Sequence, residues 1–234
     1  MAEQRKLDRR LAFPGSRFRA TALWLLGLTA LPVVMLAARV AYTRSLVHIF
    51  VAPNLVLAWL PFGFSFLAVR PGSTPRLLRL AFGLGWLLFL PNGPYVITDL
   101  LHLYPSQVPL VYDVIMLFST ALCGLVLGLI SVRWLQAAVA RRLGVWPSRL
   151  FAVLALGCAG FGVYLGRYQR WNSWDALLQP AALARGILPL MAHPVQHWQD
   201  WAFMLLFTAL LVLAYWPVTV LLDAAGKEER PAPR

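Results

Sequence analysis

Leu90-Pro-Asn-Gly-Pro-Tyr-Val-Ile-Thr-Asp-Leu-Leu-His-Leu103 interrupts a chain that is otherwise apolar and basic. The apolar run before the break, Leu77–Leu90, would reach only about 21 Å as a helix, short of a hydrocarbon core of roughly 30 Å. Arg76 and Arg79 can snorkel at its other end to lengthen it. Asn92 or Gly93 can end one helix, and Pro94 suits the first position of the next, where a missing N–H costs nothing. From Pro94 to Leu103 a second helix would run about 15 Å, too short to span alone. Tyr95, Thr98, Asp99 and His102 are spaced i, i+3, i+4, i+7, one helical stripe, and apolar residues take most of the remaining surface. The stretch reads as an interfacial or re-entrant half-helix with a polar seam, tolerated at membrane depth where it lines protein or a watery cavity. A plain helix end with its polar residues turned to water is the alternative.

The rest of the chain sets that stretch in a membrane. Of 234 residues, 60% are hydrophobic and 13% charged, half the charge of a soluble domain. Apolar residues come in blocks near the length of a bilayer span. These blocks give six candidate spans: Ala20–Ala38, His48–Val69, Leu77–Leu90, Val111–Val132, Leu150–Tyr168 and Trp201–Leu222. Backbone groups in lipid must be satisfied internally, so these are helices. The fold class is all-α, a polytopic membrane bundle of about six transmembrane helices plus short interfacial or re-entrant helices. Residues 1–19 form a basic cytoplasmic segment, 20–222 one transmembrane domain, and 223–234 a disordered cytoplasmic tail.

A net charge of +12 would suggest nucleic acid in a soluble protein. Here the basic residues lie in connections between spans, so the positive-inside bias accounts for them and no nucleic-acid partner is expected. With arginines at span ends counted to the adjoining connection, 16 Lys and Arg fall on the side of the termini and 5 on the other. Both termini are expected in the cytoplasm. A cleaved signal peptide ending near Leu36-Ala37-Ala38 is possible, but the length of the basic segment and of the apolar run favours an uncleaved first helix. Cys123 and Cys158 each lie within an apolar block and read as small buried residues rather than as a disulfide framework.

With that orientation, all four histidines (His48, His102, His193, His197) and four of the nine acids (Asp99, Asp113, Asp175, Asp200) fall on the outer side or its membrane edge. A second stretch there, Gly166-Arg-Tyr-Gln-Arg-Trp-Asn-Ser-Trp-Asp175, adds Arg167 and Arg170 at i, i+3 on a helix end. Asn172 or Ser173 suits an N-cap, with Asp175 in the first turn of the next helix. Trp171 and Trp174 belong at headgroup level. The bland account is an aromatic belt and a capped turn; the sharper one pairs an arginine with Asp99 or Asp113 across the bundle. Metal-ligand evidence is thin. Asp99 and His102 could ligate together, but Pro194 biases His193 away from the helical geometry that would align it with His197. Ser106 and Ser173 lack a nucleophile elbow. Asn54, inside the second span, reads as helix packing.

The two stretches, "LPNGPYVITDLLHL" and "RYQRWNSWD", resemble the signatures of an uncharacterised bacterial family of multi-pass membrane proteins, domain of unknown function 1361. The resemblance covers most of the chain from about the second span onward. The family pattern carries alanine where Gly93 stands here, a small-for-small change. It implies a bacterial inner-membrane location and no particular activity.

Function is therefore expected at a polar site on the non-cytoplasmic face. Asp99 and His102 are its catalytic candidates. Asn92, Tyr95, Thr98, Asp113, Arg167, Arg170, Trp171, Asn172 and Asp175 are its candidates for binding a small molecule or a lipid. A membrane-embedded enzyme acting on a lipid or envelope precursor leads, with an assembly partner of another membrane protein and, more remotely, a small-solute transporter as alternatives. The bilayer is the one partner the sequence names, and no cofactor is readable.

Overall fold

The computed structural model describes residues 15–70, 72–103 and 108–228. These form α1 (Gly15–Thr43), α2 (Val51–Val69), α3 (Arg76–Phe89), α4 (Asn92–Tyr95), a 3-10 helix (Val96–His102), α5 (Leu110–Leu143), α6 (Val145–Arg167), α7 (Asp175–Leu178), α8 (Pro180–Ala192) and α9 (Trp198–Glu228). Among the described residues six segments are long and apolar enough to cross a membrane: Thr21–Thr43, Val51–Val69, Arg76–His102, Leu110–Leu143, Val145–Arg167 and Trp198–Val220. Leucines and valines stand exposed along these helices, Leu23, Val34, Val56, Leu84, Leu154 and Leu206 among them. A contiguous apolar surface of that kind fits lipid, not water. Exposed tryptophans sit near helix ends, Trp146 and Trp216 at one end of the bundle and Trp174 and Trp198 at the other, as headgroup anchors do. The protein is an integral, multi-pass membrane protein.

Helix α5 is the axis. Two thirds of its most apolar stretch is buried (67%), against 17% in α1, which lies on the outside of the bundle. One core cluster joins α5 to α1, α2 and the 3-10 helix through Leu25, Leu55, Phe62, Val96, Met116 and Leu127. The other joins α5 to α3, α6 and α9 through Trp86, Leu129, Val132, Leu156 and Leu211. Buried hydroxyls in α5 are satisfied within their own turn: Ser119 and Thr120 both donate to the Met116 carbonyl and Ser131 to that of Gly128. Ser131 also accepts from Trp86 Nε1 at 2.9 Å, tying α3 to α5.

Several boundaries differ from the sequence reading, each for a physical reason. The first helix runs through Arg39 to Thr43 rather than stopping at Ala38, because the Arg39 guanidinium is neutralised inside the bundle by Asp113. Helix α5 extends past Arg133 to Leu143, where Arg141 and Arg142 face the helix C-terminus and favour its dipole. Helix α9 continues to Glu228, into the segment expected to be disordered from residue 223. Residues 1–14 and 229–234, and with them most of the basic N-terminal segment, lie outside the described residues. Cys123 is buried as expected, but Cys158 is exposed on the apolar surface of α6.

The third span is built as a helix, a break and a short continuation. Pro91 and Pro94 lack N–H groups, so the ladder shifts locally: Gly93 N–H takes the i−3 carbonyl of Leu90 at 3.3 Å, and Tyr95 N–H resumes the i−4 bond to Pro91 at 2.9 Å. The Asn92 side chain supplies the donor that the Phe89 carbonyl would otherwise lack, at 2.9 Å. The continuation, Val96–His102, is a 3-10 helix and not the α-helix expected from the stripe. At three residues per turn the seam splits in two, with Thr98 over Tyr95 on one face and His102 over Asp99 on another.

Candidate functional site

Two glycine pairs hold the break in place. On α5, Gly124 and Gly128 face Gly93; a Cβ on Gly93 would lie 2.9 Å from the Gly124 carbonyl oxygen and 3.1 Å from the Gly128 Cα. On α6, a Cβ at Gly162 would overlap the Pro91 ring, and one at Gly166 would come within 3.1 Å of the Tyr95 ring. Backbone therefore approaches its neighbours without intervening side chains, the close approach that small residues allow in membranes. The C-terminal end of α6, carrying Arg167, is brought against the segment carrying Tyr95.

Beyond Arg167 the chain turns sharply. Arg170 adopts φ 60°, the left-handed region that a non-glycine residue enters at a cost of roughly 1–2 kcal/mol. The Trp171 N–H returns to the Leu165 carbonyl at 3.1 Å and closes the helix end. The expected N-cap is absent. Instead the Asp175 carboxylate reaches back to accept from the Asn172 backbone N–H at 2.7 Å and from its amide at 3.3 Å. Asp175 thus fixes the loop on which Trp171, Asn172 and Ser173 sit.

A cavity of about 530 Å³ lies between these two segments and α2. Of the residues expected to form a site, Asn92, Tyr95, His102, Arg167, Arg170, Trp171 and Asn172 line it. Asn92 Nδ2 donates to Ser173 Oγ at 2.8 Å, bridging the two stretches across 81 residues of sequence. Among the described residues neither Arg167 nor Arg170 makes an ion pair or a side-chain hydrogen bond, and both guanidiniums remain available to a ligand. His102 packs against Phe50, ring centroids 5.0 Å apart.

Four expected residues are placed elsewhere. Thr98 is buried and donates to the Tyr95 carbonyl at 2.7 Å, so its hydroxyl is spent on the helix. Asp99 lies behind the cavity wall, buried, with its carboxylate accepting from Asn54 Nδ2 at 2.7 Å. Arg167 acts on both Asp99 and His102 through space. Asp113 is not part of this lining and is engaged by Arg39, whose Nε is 2.7 Å from Oδ1 and whose Nη2 is 3.2 Å from Oδ2. An arginine does pair with an aspartate across the bundle, then, but it is Arg39, because α1 and not the end of α6 passes beside the start of α5. Asp175 holds the loop from outside the lining.

Asn54, read from sequence as packing, both lines the cavity and holds Asp99. Its signal was an amide directly after Pro53 inside an apolar span. Pro61, one turn beyond Leu57, leaves the Leu57 carbonyl without its helical donor, and Leu57 lines the cavity too. His197 Nδ1 lies 3.0 Å from Asp200 and His193 is exposed; among the described residues no three His, Cys, Asp or Glu gather as ligands would. Ser106 lies outside the described residues.

Residues 53–214 match the profile of the family described as protein of unknown function (DUF1361), and the chain belongs to that family. Every residue lining the cavity falls within the matched segment. No curated protein and no solved structure matches the chain.

Proposed function

We propose that this DUF1361 protein is a membrane-embedded enzyme of the bacterial inner membrane, holding the anionic group of a lipid or envelope precursor in its polar cavity. Arg167 and Arg170 bind the anion, a phosphate or carboxylate whose oxygens a guanidinium fork fits. The Ser173 hydroxyl and the second N–H of the Asn54 amide supply donors around it, while Asn92, both of whose N–H groups are engaged, positions Ser173. His102 gives or takes the proton, with Asp99 behind it at the Asn54 amide. The observation that carries this reading is the meeting of two guanidiniums, neither in ion-pair contact among the described residues, with His102 across one cavity.

The cavity faces the non-cytoplasmic side and both termini face the cytoplasm. The support is the distribution of basic residues, 16 of 21 on the side of the termini.

Thermal unfolding of the purified protein in neutral detergent tests the anion site, with inorganic phosphate compared against chloride at matched ionic strength. At ten times its dissociation constant a bound ion adds about 1.4 kcal/mol. The midpoint should rise by a few degrees in phosphate, and Arg167→Gln/Arg170→Gln should remove that rise. An equal rise in the double variant would overturn the reading.

A further inference from the structure

We propose that the ligand is an anionic membrane lipid, its headgroup at Arg167 and Arg170 and one acyl chain in an apolar groove that opens beside them; this rests on the anion-site reading above. The groove, about 700 Å³, runs between α3, the end of α6 and the loop through α7 to α8. Leu84, Leu88, Leu165, Leu177 and Leu183 form its walls, and among the described residues no ionisable side chain lines it. It shares Pro91, Gly162, Trp171, Asn172 and Ser173 with the polar cavity. One continuous site therefore has a cationic end and an apolar end, with the Trp171 indole where the two meet.

The division of labour comes from the surroundings. Leu84 and Leu177 are 61% and 72% exposed on the apolar surface, so the groove opens sideways toward lipid. A chain moving from bilayer to groove gains little, because lipid tails are as apolar as leucine. Selection must then come from the headgroup, and the groove's part is to give the attached chain room while the phosphate reaches the guanidiniums. A free anion needs no such groove. A neutral lipid brings no anion, and a zwitterionic one brings a cation with its phosphate, so neither lowers the net positive charge of the two guanidiniums.

The test is retention of lipid by the full-length protein in neutral detergent, read by native mass spectrometry, with dioleoylphosphatidylglycerol against dioleoylphosphatidylcholine. Roughly five-fold for each arginine gives an expected preference of about 25-fold for the anionic lipid. Ala176→Trp fills the groove from α7's side and Ala81→Trp from the α3 side. Each should abolish most phosphatidylglycerol retention while the midpoint rise in inorganic phosphate persists. Arg167→Gln/Arg170→Gln should lose both. Unchanged lipid retention in both tryptophan variants would overturn the lipid assignment and leave the anion site standing. Loss of the phosphate response in both would overturn the two-part ligand, since the groove would then belong to the anion pocket itself. Equal retention of the two lipids by the wild type would overturn it outright. Retention of the preference in the arginine variant would overturn the headgroup role, and the anion site would fall with it only where that variant also kept the phosphate rise.

Discussion

Arg39 and Asp113 form an ion pair in the interior between α1 and α5, joined at 2.7 Å and 3.2 Å, and both side chains are almost wholly buried. A few residues away the Tyr112 hydroxyl donates to the Met35 carbonyl at 2.7 Å, so the same two helices are clamped twice. The pair explains how a charged residue sits inside the first helix: two opposite charges enter the apolar phase as one neutral unit.

Removing one member should do more harm than removing both. A buried charge left alone costs roughly 3–5 kcal/mol, whereas an apolar replacement of the whole pair is often neutral. Asp113→Leu should lower the unfolding midpoint by roughly 6–20 °C. Arg39→Met/Asp113→Leu should recover most of that loss. Thermal unfolding of the three proteins in detergent decides it, and a double variant no better than the single one would show that the pair contributes through its own attraction.

The glycine contacts give a contrast within one protein. Gly124→Ala places a methyl group against the Gly93 carbonyl, where backbone must move, and overpacking of this kind costs roughly 1–3 kcal/mol. Gly83→Ala, in the same bundle, meets nothing within 4 Å and exchanges a poor helix former for the best one. The expected outcome is a lower midpoint for the first and an equal or higher one for the second, in the same unfolding assay.

Arg170 separates stability from binding. Its left-handed backbone is strained for any residue with a Cβ, so Arg170→Gly should raise stability by about 1 kcal/mol, and the midpoint with it, while Arg170→Gln should not. Both lose a guanidinium from the cavity, and both should show a weaker response to phosphate. A variant more stable than the parent yet poorer in binding is the signature of strain kept at a functional position.

Stability should also depend on pH through His48, in the connection between α1 and α2. Burial lowers its pKa below the usual 6.5, and the Arg39 guanidinium lowers it further; the Asp113 carboxylate and the His102 backbone carbonyl act the other way. The folded state therefore prefers the neutral ring. Above about pH 6.5 the preference costs nothing, and as pH falls below that value the unfolded chain takes up a proton that the folded one refuses. The midpoint should fall between pH 7.5 and pH 5.5, and His48→Phe should flatten that part of the profile.

Much of this architecture is legible in the amino-acid order because apolar blocks of bilayer length leave the backbone no choice but helix. What hydropathy cannot see is pairing. Arg39 looks like the end of a span until Asp113, 74 residues away, is placed beside it. The 3-10 form of Val96–His102 was hidden too: Tyr95, Thr98, Asp99 and His102 fit an α-helical stripe, and their i, i+3 spacings serve three residues per turn equally well. Arg167 and Arg170 stood out because only 5 of the 21 basic residues fall on the outer side, and Asn172 because it follows them in the same short loop. Asn54 did not, since an amide inside a span can satisfy any neighbour, and the sequence does not say that its neighbour is Asp99.

The measurement that bears most directly on a cationic cavity at the outer face is the labelling of Ser173→Cys in intact cells. Cys123 and Cys158 would be replaced, and membrane-impermeant anionic and cationic thiol reagents of matched size compared. Gln179→Cys, exposed on the adjoining loop, serves as the reference. The expected result is labelling from outside at both positions, with the anionic-to-cationic rate ratio higher at residue 173 than at 179 and levelled by Arg167→Gln/Arg170→Gln. Labelling only after the cells are permeabilised, or a ratio at 173 no higher than at 179, would contradict it.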